Sequence, residues 1–87
     1  MYYGYIITND KGQIYTGYSS DLKERLTAHN QGKNRSTRGR KWKLVYYETY
    51  KSEQDARKRE HHLKKSGQAR RWLKERIKIS LNLSKDS

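Results

Sequence analysis

The sequence contains no cysteine, no proline and no phenylalanine, and it has only 9 acidic residues. Without cysteine the chain can form neither disulfides nor a thiolate metal site, and this favours a reducing, intracellular setting. No stretch approaches the ~20 apolar residues of a membrane-spanning helix. The first residues, Met1-Tyr2-Tyr3-Gly4-Tyr5, lack the charged and apolar regions of a signal peptide. These absences predict a cytoplasmic protein with no membrane segment.

The chain is short and strongly basic. Its 87 residues include 21 Lys and Arg against 9 Asp and Glu, so the net charge is +12. This length allows one domain with a small core, since only 31% of the residues are hydrophobic. Eight Tyr and two Trp nevertheless supply the large apolar area that disordered tails lack. So high a charge on so small a body indicates a polyanionic partner, nucleic acid before an anionic membrane.

Three segments are predicted to form strands. Residues 2–8 and 13–18 are rich in aromatic and β-branched residues. The turn formers of residues 9–12 stand between them, and this arrangement is typical of a β-hairpin. Residues 43–50 have strong β propensity and predict a third strand.

A first helix is predicted between the second and third strands. It begins at Leu22, because Ser20 or Asp21 can cap it and Glu24 follows Asp21 by three residues, as a capping box requires. It ends near Gly32, which can take the left-handed conformation of a helix C-terminus.

Two more helices are predicted after the third strand. One opens at Ser52 and reaches residues 66–67, and the next covers residues 68–79. In the latter, one apolar stripe is formed by Ala69, Trp72, Leu73 and Ile77. Residues 80–87 have weak periodicity and predict a frayed tail, so a single domain covers residues 1–79. The order β-β-α-β-α-α predicts an α/β (α+β) fold with a small three-stranded antiparallel sheet flanked by helices.

Polar side chains occupy positions of the first helix where apolar ones are expected. Leu22 and Leu26 define its buried stripe. Measured from Leu22, His29 projects at roughly 340° and Arg25 at roughly 300°. Both therefore border the sheet-facing stripe, and we expect neither to point to water.

A carboxylate lies on the core stripe of the second helix. Ala56, Glu60 and Leu63 follow the spacing i, i+4, i+7. Burying an unpaired carboxylate costs several kcal/mol, so Glu60 needs a cation, a metal ion or partial access to solvent. The plain alternative is an ion pair of Glu60 with Arg25 or with a lysine at the helix edge.

The second strand carries Gly17 in its interior, and such a glycine often marks the close approach of a backbone or a ligand. Hairpin geometry can bring Tyr5 and Tyr15 to one face of the sheet. Either tyrosine alone is explained as a half-buried sheet residue. Two tyrosines, an arginine, a histidine and a carboxylate on one face indicate a functional site.

At these positions the sequence resembles the GIY-YIG nuclease domain family. The matching segments are Tyr3-Gly4-Tyr5-Ile6, Tyr15-Thr16-Gly17, Asp21-Leu22-Lys23-Glu24-Arg25-Leu26 with His29, and Ala56-Arg57-Lys58-Arg59-Glu60-His61-His62-Leu63-Lys64. The resemblance covers residues 2–78. It is nearest to the small stand-alone bacterial members, and it extends to the N-terminal nuclease domain of the bacterial excision-repair nuclease. In the first motif the glycine stands one place late, and Thr16 replaces the middle isoleucine of the second, but both tyrosines are retained.

The resemblance implies a metal-dependent endonuclease. Glu60 would hold one Mg²⁺ or Mn²⁺ ion, and no second carboxylate lies near it on the helix face to build a two-metal site. Tyr15 would act as the general base, with Tyr5 beside it to orient the water. Arg25 would grip the scissile phosphate. His29 would contact the same phosphate or shuttle a proton, and a satisfied helix-edge histidine is the alternative. No organic cofactor is expected.

A basic segment over residues 33–43 has six cations and no acid. We expect a flexible loop that wraps a phosphate backbone, with contacts from Lys33, Arg35, Arg38, Arg40, Lys41 and Trp42. Trp42 either anchors the loop or stacks on a base, and the anchor is favoured because the adjoining strand needs core residues.

The predicted function is therefore a DNA endonuclease that binds the phosphate backbone and has low sequence specificity, because no separate segment reads base edges. Such an activity belongs to DNA repair or recombination, in the nucleoid. The alternative is a non-catalytic basic module that binds DNA or RNA. Charge, aromatic content and size fit both, and only the tyrosine, arginine and glutamate constellation separates them. The sequence specifies no oligomeric state.

Overall fold

The computed structural model describes residues 1–85, and it contains one three-stranded antiparallel sheet. Strands β1 (Tyr2–Asn9), β2 (Ile14–Ser19) and β3 (Trp42–Tyr50) are arranged in the order β2-β1-β3. The hairpin turn between β1 and β2 is closed by Asn9, whose side-chain oxygen accepts hydrogen bonds from the backbone N–H groups of Lys11 and Gln13. The predicted sheet is confirmed, and each strand boundary lies within about one residue of its predicted place.

The rest of the regular structure in residues 1–85 consists of four α-helices and one 3₁₀ turn. They are α1 (Leu22–Asn30), the 3₁₀ turn (Arg35–Thr37), α2 (Glu53–Lys65), α3 (Gly67–Arg76) and α4 (Lys78–Lys85). Within residues 1–85, each of these helices is too short or too polar to cross a bilayer.

Helix α1 begins where the sequence predicts, although its cap differs in one bond. The Asp21 carboxylate accepts from the backbone N–H of Glu24 at 3.0 Å, as in a capping box. The Asp21 N–H donates instead to the hydroxyl of Ser19, also at 3.0 Å. Ser19 therefore satisfies the donor that the sequence assigned to the Glu24 side chain.

Helix α1 ends in a Schellman motif at Gly32. Gly32 has φ 75°, its N–H donates to the carbonyl of His29, and the N–H of Lys33 donates to the carbonyl of Ala28 at 3.0 Å. This confirms the predicted end of the helix. The left-handed residue turns the chain back toward the 3₁₀ turn, which then lies beside the last turn of α1.

The core is divided by the sheet into two layers. On one face Ile6 packs with Leu63 of α2, with Ala69 and Leu73 of α3, and with Ile77 at the junction of α3 and α4. On the other face Tyr5, Ile7 and Trp42 pack with Leu22 and Leu26 of α1. Successive residues of a strand point to opposite faces, so β1 supplies both layers. The layer under α1 is the smaller one, and it carries Tyr5 and His29 from the residues that the sequence singled out.

The C-terminal helices depart from the sequence prediction at two places. Trp72 does not share the buried stripe of Leu73 and is 65% exposed. The helix predicted to reach residue 79 stops at Arg76, and α4 then continues the helical structure to Lys85, where a frayed tail was predicted. Leu81 explains the difference, because it packs on the core cluster one turn after Ile77. Residues 86 and 87 of the predicted tail lie outside the described residues.

We expect the neighbouring residues Leu73 and Trp72 to respond oppositely to truncation. Leu73→Ala removes a side chain that is 3% exposed and should lower the free energy of unfolding by about 2–5 kcal/mol. Trp72→Ala should change it by no more than about 0.5 kcal/mol, since surface substitutions have small effects. Urea denaturation followed by circular dichroism measures both. A loss of stability in Trp72→Ala comparable to that of Leu73→Ala would contradict the described packing.

Candidate active site

The site is built around the pairing of Tyr5 with Gly17 across β1 and β2. The Tyr5 ring lies directly over Gly17, where an added Cβ atom would come within 2.5 Å of the ring carbon Cζ. Real Cβ atoms essentially never come so close, so only glycine leaves room for this ring. The sequence predicted the close approach of a backbone or a ligand here, and the approaching group is a side chain. Ile7 pairs with Tyr15, which places Tyr15 on the face of Tyr5.

A chain of buried hydrogen bonds runs from Tyr5 into the 3₁₀ turn. The Tyr5 hydroxyl lies 2.8 Å from His29 Nε2, and His29 Nδ1 lies 2.7 Å from the hydroxyl of Thr37. Thr37 also donates to the carbonyl of Asn34 at 3.4 Å. A threonine hydroxyl has one proton, so His29 Nδ1 must donate to Thr37 and Nε2 must accept from Tyr5.

Burial is the main cause of the pKa shifts of both His29 and Tyr5. Burial lowers the pKa of His29, and the positive charge of Arg25 lowers it further, so the imidazole is neutral as Nε2 requires. Burial also raises the pKa of Tyr5 well above its ordinary value. Arg25 opposes that increase in pKa, whereas the charges of Tyr15 and Glu60 add to it. Tyr5 therefore keeps its proton at neutral pH.

His29 is not a phosphate contact. Its side chain is completely buried, and both ring nitrogens already have partners. The expected contact between His29 and a substrate phosphate is therefore wrong, because the 3₁₀ turn covers the histidine. His29 instead holds the Tyr5 hydroxyl. This matches the alternative interpretation, in which both nitrogens of a helix-edge histidine have hydrogen-bond partners within the protein.

Tyr15 lies at the opening of the site and is half-buried. Its ring meets the edge of the His29 ring at a centroid distance of 5.0 Å and the Trp42 ring at 6.5 Å. Its hydroxyl accepts from the side-chain amide of Asn34 at 3.4 Å. The Nζ atom of Lys64 lies 4.9 Å from the ring centroid. Tyr15 thus joins the interior of the α1 layer to the surface of α2.

Arg25 is exposed, so the expectation that it turns away from water is wrong. It lines a cavity of about 310 Å³ together with Ser19, Asp21 and Glu24 at the start of α1. It is nevertheless close enough to lower the pKa of Tyr5 and of His29. No carboxylate of residues 1–85 pairs with its guanidinium, which leaves the fork of donors available to a ligand.

One face of α2 runs along the edge strand β2. Arg57 lies over the Tyr18 ring at 5.4 Å, and Lys64 lies over Tyr15 seven residues later. Glu60 lies between them on this face, and its side chain is 23% exposed. Its Oε2 atom is 3.8 Å from Lys64 Nζ, so the predicted pairing of Glu60 with a lysine is confirmed. The alternative pairing with Arg25 does not form.

The oxygen ligands available at Glu60 suit a metal ion that keeps most of its water molecules. They do not form a site in which the protein alone surrounds the ion. Within residues 1–85, no three carboxylate or histidine side chains are grouped as metal ligands. Mg²⁺ commonly binds through one or two carboxylates and keeps several waters, and a single partly exposed carboxylate fits that pattern.

The basic loop is ordered around Trp42. The indole N–H donates to the Thr37 carbonyl at 2.8 Å, and the Asn30 side chain holds both the backbone N–H and the carbonyl of Trp42. Asn34 caps the 3₁₀ turn by accepting from the Ser36 N–H. Trp42 is 6% exposed, so its predicted contact with nucleic acid is wrong and the anchor alternative is confirmed. The loop cations that remain exposed are Lys33, Arg35, Arg38, Arg40 and Lys41.

Sequence reasoning missed four residues of this site. Thr37 and Asn34 complete the hydrogen bonds of His29 and Tyr15, and Asn30 fixes Trp42. Lys64 contacts both Tyr15 and Glu60. Asn34 had a local signal, since an Asn side chain commonly accepts from the backbone N–H two residues later and so caps a turn. The others depend on how the loop folds over α1, which the local sequence does not encode.

Comparisons with known proteins identify a matching family model, related sequences and a related solved structure. A family model described as the GIY-YIG catalytic domain matches residues 1–75. A UPF0213 protein from Clostridium perfringens is 40% identical over 67 residues, which cover 75% of this chain and 72% of that protein. One from Pediococcus acidilactici is 32% identical over 85 residues, covering 93% and 82%. The solution NMR structure of a UPF0213 protein from Bacillus halodurans is 34% identical with a TM-score of 0.53, covering 84% of this chain and 82% of that chain.

The buried neutral His29 makes stability depend on pH. Its folded pKa is lowered below the unfolded value of about 6.5, so on acidification the unfolded chain takes up the proton first. We expect stability to be full above pH ~6.5 and to fall toward the folded pKa, by up to about 1.4 kcal/mol per pH unit. Urea denaturation between pH 8 and 5 measures this slope. It should flatten in His29→Gln and persist in the exposed control His61→Gln, and an unchanged slope in His29→Gln would refute the assignment.

Proposed function

Because this chain belongs to the GIY-YIG catalytic-domain family, we propose that it is a DNA endonuclease that hydrolyses phosphodiester bonds with one divalent metal ion. The observation that carries the proposal is that Tyr5 and Tyr15 lie on one face of the sheet, with Arg25 and Glu60 near enough to influence the pKa of Tyr5. These four residues come from two strands and two helices. A binding module without chemistry has no need of this convergence.

The two tyrosines would have different roles. Burial raises the pKa of Tyr5, and its proton is donated to His29, so Tyr5 is a poor base. Its oxygen keeps lone pairs that can accept from a water molecule and orient it. Tyr15 is more open, because its side chain is half-buried and its hydroxyl accepts a hydrogen bond of 3.4 Å from Asn34. Tyr15 is therefore the proposed general base that takes the proton of the attacking water.

Arg25 would bind the scissile phosphate. A guanidinium presents several donors in a plane and matches two phosphate oxygens at once, which lysine does not reproduce. Its exposed position beside the buried Tyr5–His29 pair would bring the phosphate to the tyrosines. Glu60 would hold a Mg²⁺ or Mn²⁺ ion, which supplies neutralisation of the phosphate charge and stabilisation of the leaving oxygen.

The exposed cations of the ordered loop would bind the phosphate backbone of DNA. They follow α1 directly, so the loop and Arg25 belong to one continuous basic segment of the chain. Phosphate contacts position a protein on DNA and do not read its sequence. The low sequence specificity and the role in DNA repair or recombination, in the nucleoid, remain part of this proposal.

Cleavage of supercoiled plasmid tests the catalytic residues. With Mg²⁺ or Mn²⁺, nicking should be about 100-fold slower or worse in Glu60→Ala, Arg25→Ala and Tyr15→Phe, and absent with EDTA. Matched controls are Glu53→Ala from the same helix as Glu60 and Tyr18→Phe from the same strand as Tyr15, and both should nick at nearly the normal rate. DNA binding without cleavage under every metal would overturn the enzyme and favour the non-catalytic binding module.

Salt dependence tests the loop. The triple variant Arg38→Gln, Arg40→Gln, Lys41→Gln should bind duplex DNA more weakly, and log K should fall less steeply with log salt, by about 0.9 for each lost phosphate contact. A control with the same loss of charge in α3 and α4 (Arg71→Gln, Lys74→Gln, Lys78→Gln) should keep the normal slope. Fluorescence anisotropy at several salt concentrations measures both. Equal slopes in the loop variant and the unmodified protein would exclude the loop from the interface.

A further inference from the structure

Lys64 contacts two groups of the proposed site at once. Its ammonium lies 3.8 Å from the Glu60 carboxylate and 4.9 Å from the centroid of the Tyr15 ring. The side chain is 45% exposed, so it is held by these two contacts and not by burial. Two proposed functional groups therefore share one lysine, and neither the metal-dependent chemistry nor phosphate binding described above uses it as a counter-ion.

The spacing on α2 makes this contact intrinsic to the helix. Residues four apart lie on the same side of a helix, and a glutamate N-terminal to a lysine is the favourable order. Tyr15 restricts the ammonium further, because a cation over an aromatic face is attracted by the ring. The ammonium thus stays beside the carboxylate even though the surrounding solvent makes an exposed ion pair weak.

The Glu60 carboxylate cannot serve two cations at full strength. A divalent ion bound to its oxygens would stand within a few ångströms of the Lys64 ammonium, and the two positive charges would repel each other. The repulsion is removed only if the ammonium moves away, which its long flexible stem and its exposure allow. A nearby anion, such as a phosphate, can assist that movement by forming an ion pair with the displaced Lys64 ammonium.

We propose that Lys64 is the resident counter-ion of Glu60 and that a divalent metal must displace it to bind. This inference rests on the proposed function, since it takes Glu60 as the metal ligand. It assigns Lys64 the role of weakening metal binding in the free protein. The site is thereby protected from holding a metal ion tightly before substrate arrives.

Mn²⁺ binding to the free protein, measured by electron paramagnetic resonance of the unbound ion, tests the proposal without any cleavage. Lys64→Met keeps the apolar stem against Tyr15 and removes the charge, so it should bind Mn²⁺ about three- to ten-fold more tightly. Lys64→Arg retains the charge and should bind as the unmodified protein does. Lys65→Met loses the same charge about 100° around the helix and should also leave the affinity unchanged.

Glu60→Gln separates failure of this inference from failure of the proposed function. If Glu60→Gln abolishes Mn²⁺ binding while Lys64→Met has the normal affinity, the counter-ion role is wrong and the metal site stands. An equal gain in Lys64→Met and Lys65→Met would also overturn the role, because net charge alone would explain it. If none of the proteins, Lys64→Met included, binds Mn²⁺ in a Glu60-dependent way, the metal site itself fails and the inference fails with it.

Discussion

The hydrogen bond between the Tyr5 hydroxyl and His29 is the interaction on which the rest of the site depends. It joins the central strand to α1 in the dry interior, and Thr37 extends it to the 3₁₀ turn. Leaving a buried polar group without its partner costs about 1–3 kcal/mol, so the three elements hold one another in register. The orientation of Tyr5, the depth of His29 and the order of the basic loop are consequences of this one chain of bonds.

Charge has two distinct functions in this protein. The net charge of +12 is spread over the surface and gives long-range attraction to a polyanion. At Tyr5 the influence of charge is local: burial raises the pKa most, Arg25 lowers it and Glu60 raises it. Nearby charges of opposite sign act on one phenol more selectively than a diffuse positive field does.

Much of the fold could be predicted because its signals are local. The turn before Gln13, the cap at Asp21 and the glycine at residue 32 each specify a boundary by the chemistry of a few neighbouring residues. Hairpin pairing then places Tyr5 beside Gly17, so the core of the site also follows from the sequence. Membership in a known family strengthened these expectations.

The errors share one cause, which is dependence on distant partners. His29 and Arg25 have neighbouring positions on the helical wheel, but the loop that covers one and leaves the other in solvent arrives from later in the chain. An aromatic residue in a basic segment is typical of a nucleic-acid contact. Trp42 is buried instead, and the Asn30 side chain holds its backbone in place. The tail is helical because Leu81 packs on the core cluster. Eight residues are too few for their periodicity to predict that contact.

The central strand has a consequence for how this protein can change. Its alternate residues face the proposed chemistry on one side and the helical layer on the other, with a single peptide bond between Tyr5 and Ile6. The residues of the hydrophobic core and the residues of the proposed site are thus direct neighbours in β1. A substitution that repacks the layer under α3 would shift the backbone of β1 and with it the Tyr5 hydroxyl. Changes that adapt stability to a new temperature and changes that adapt the site to a new substrate therefore involve the same few side chains.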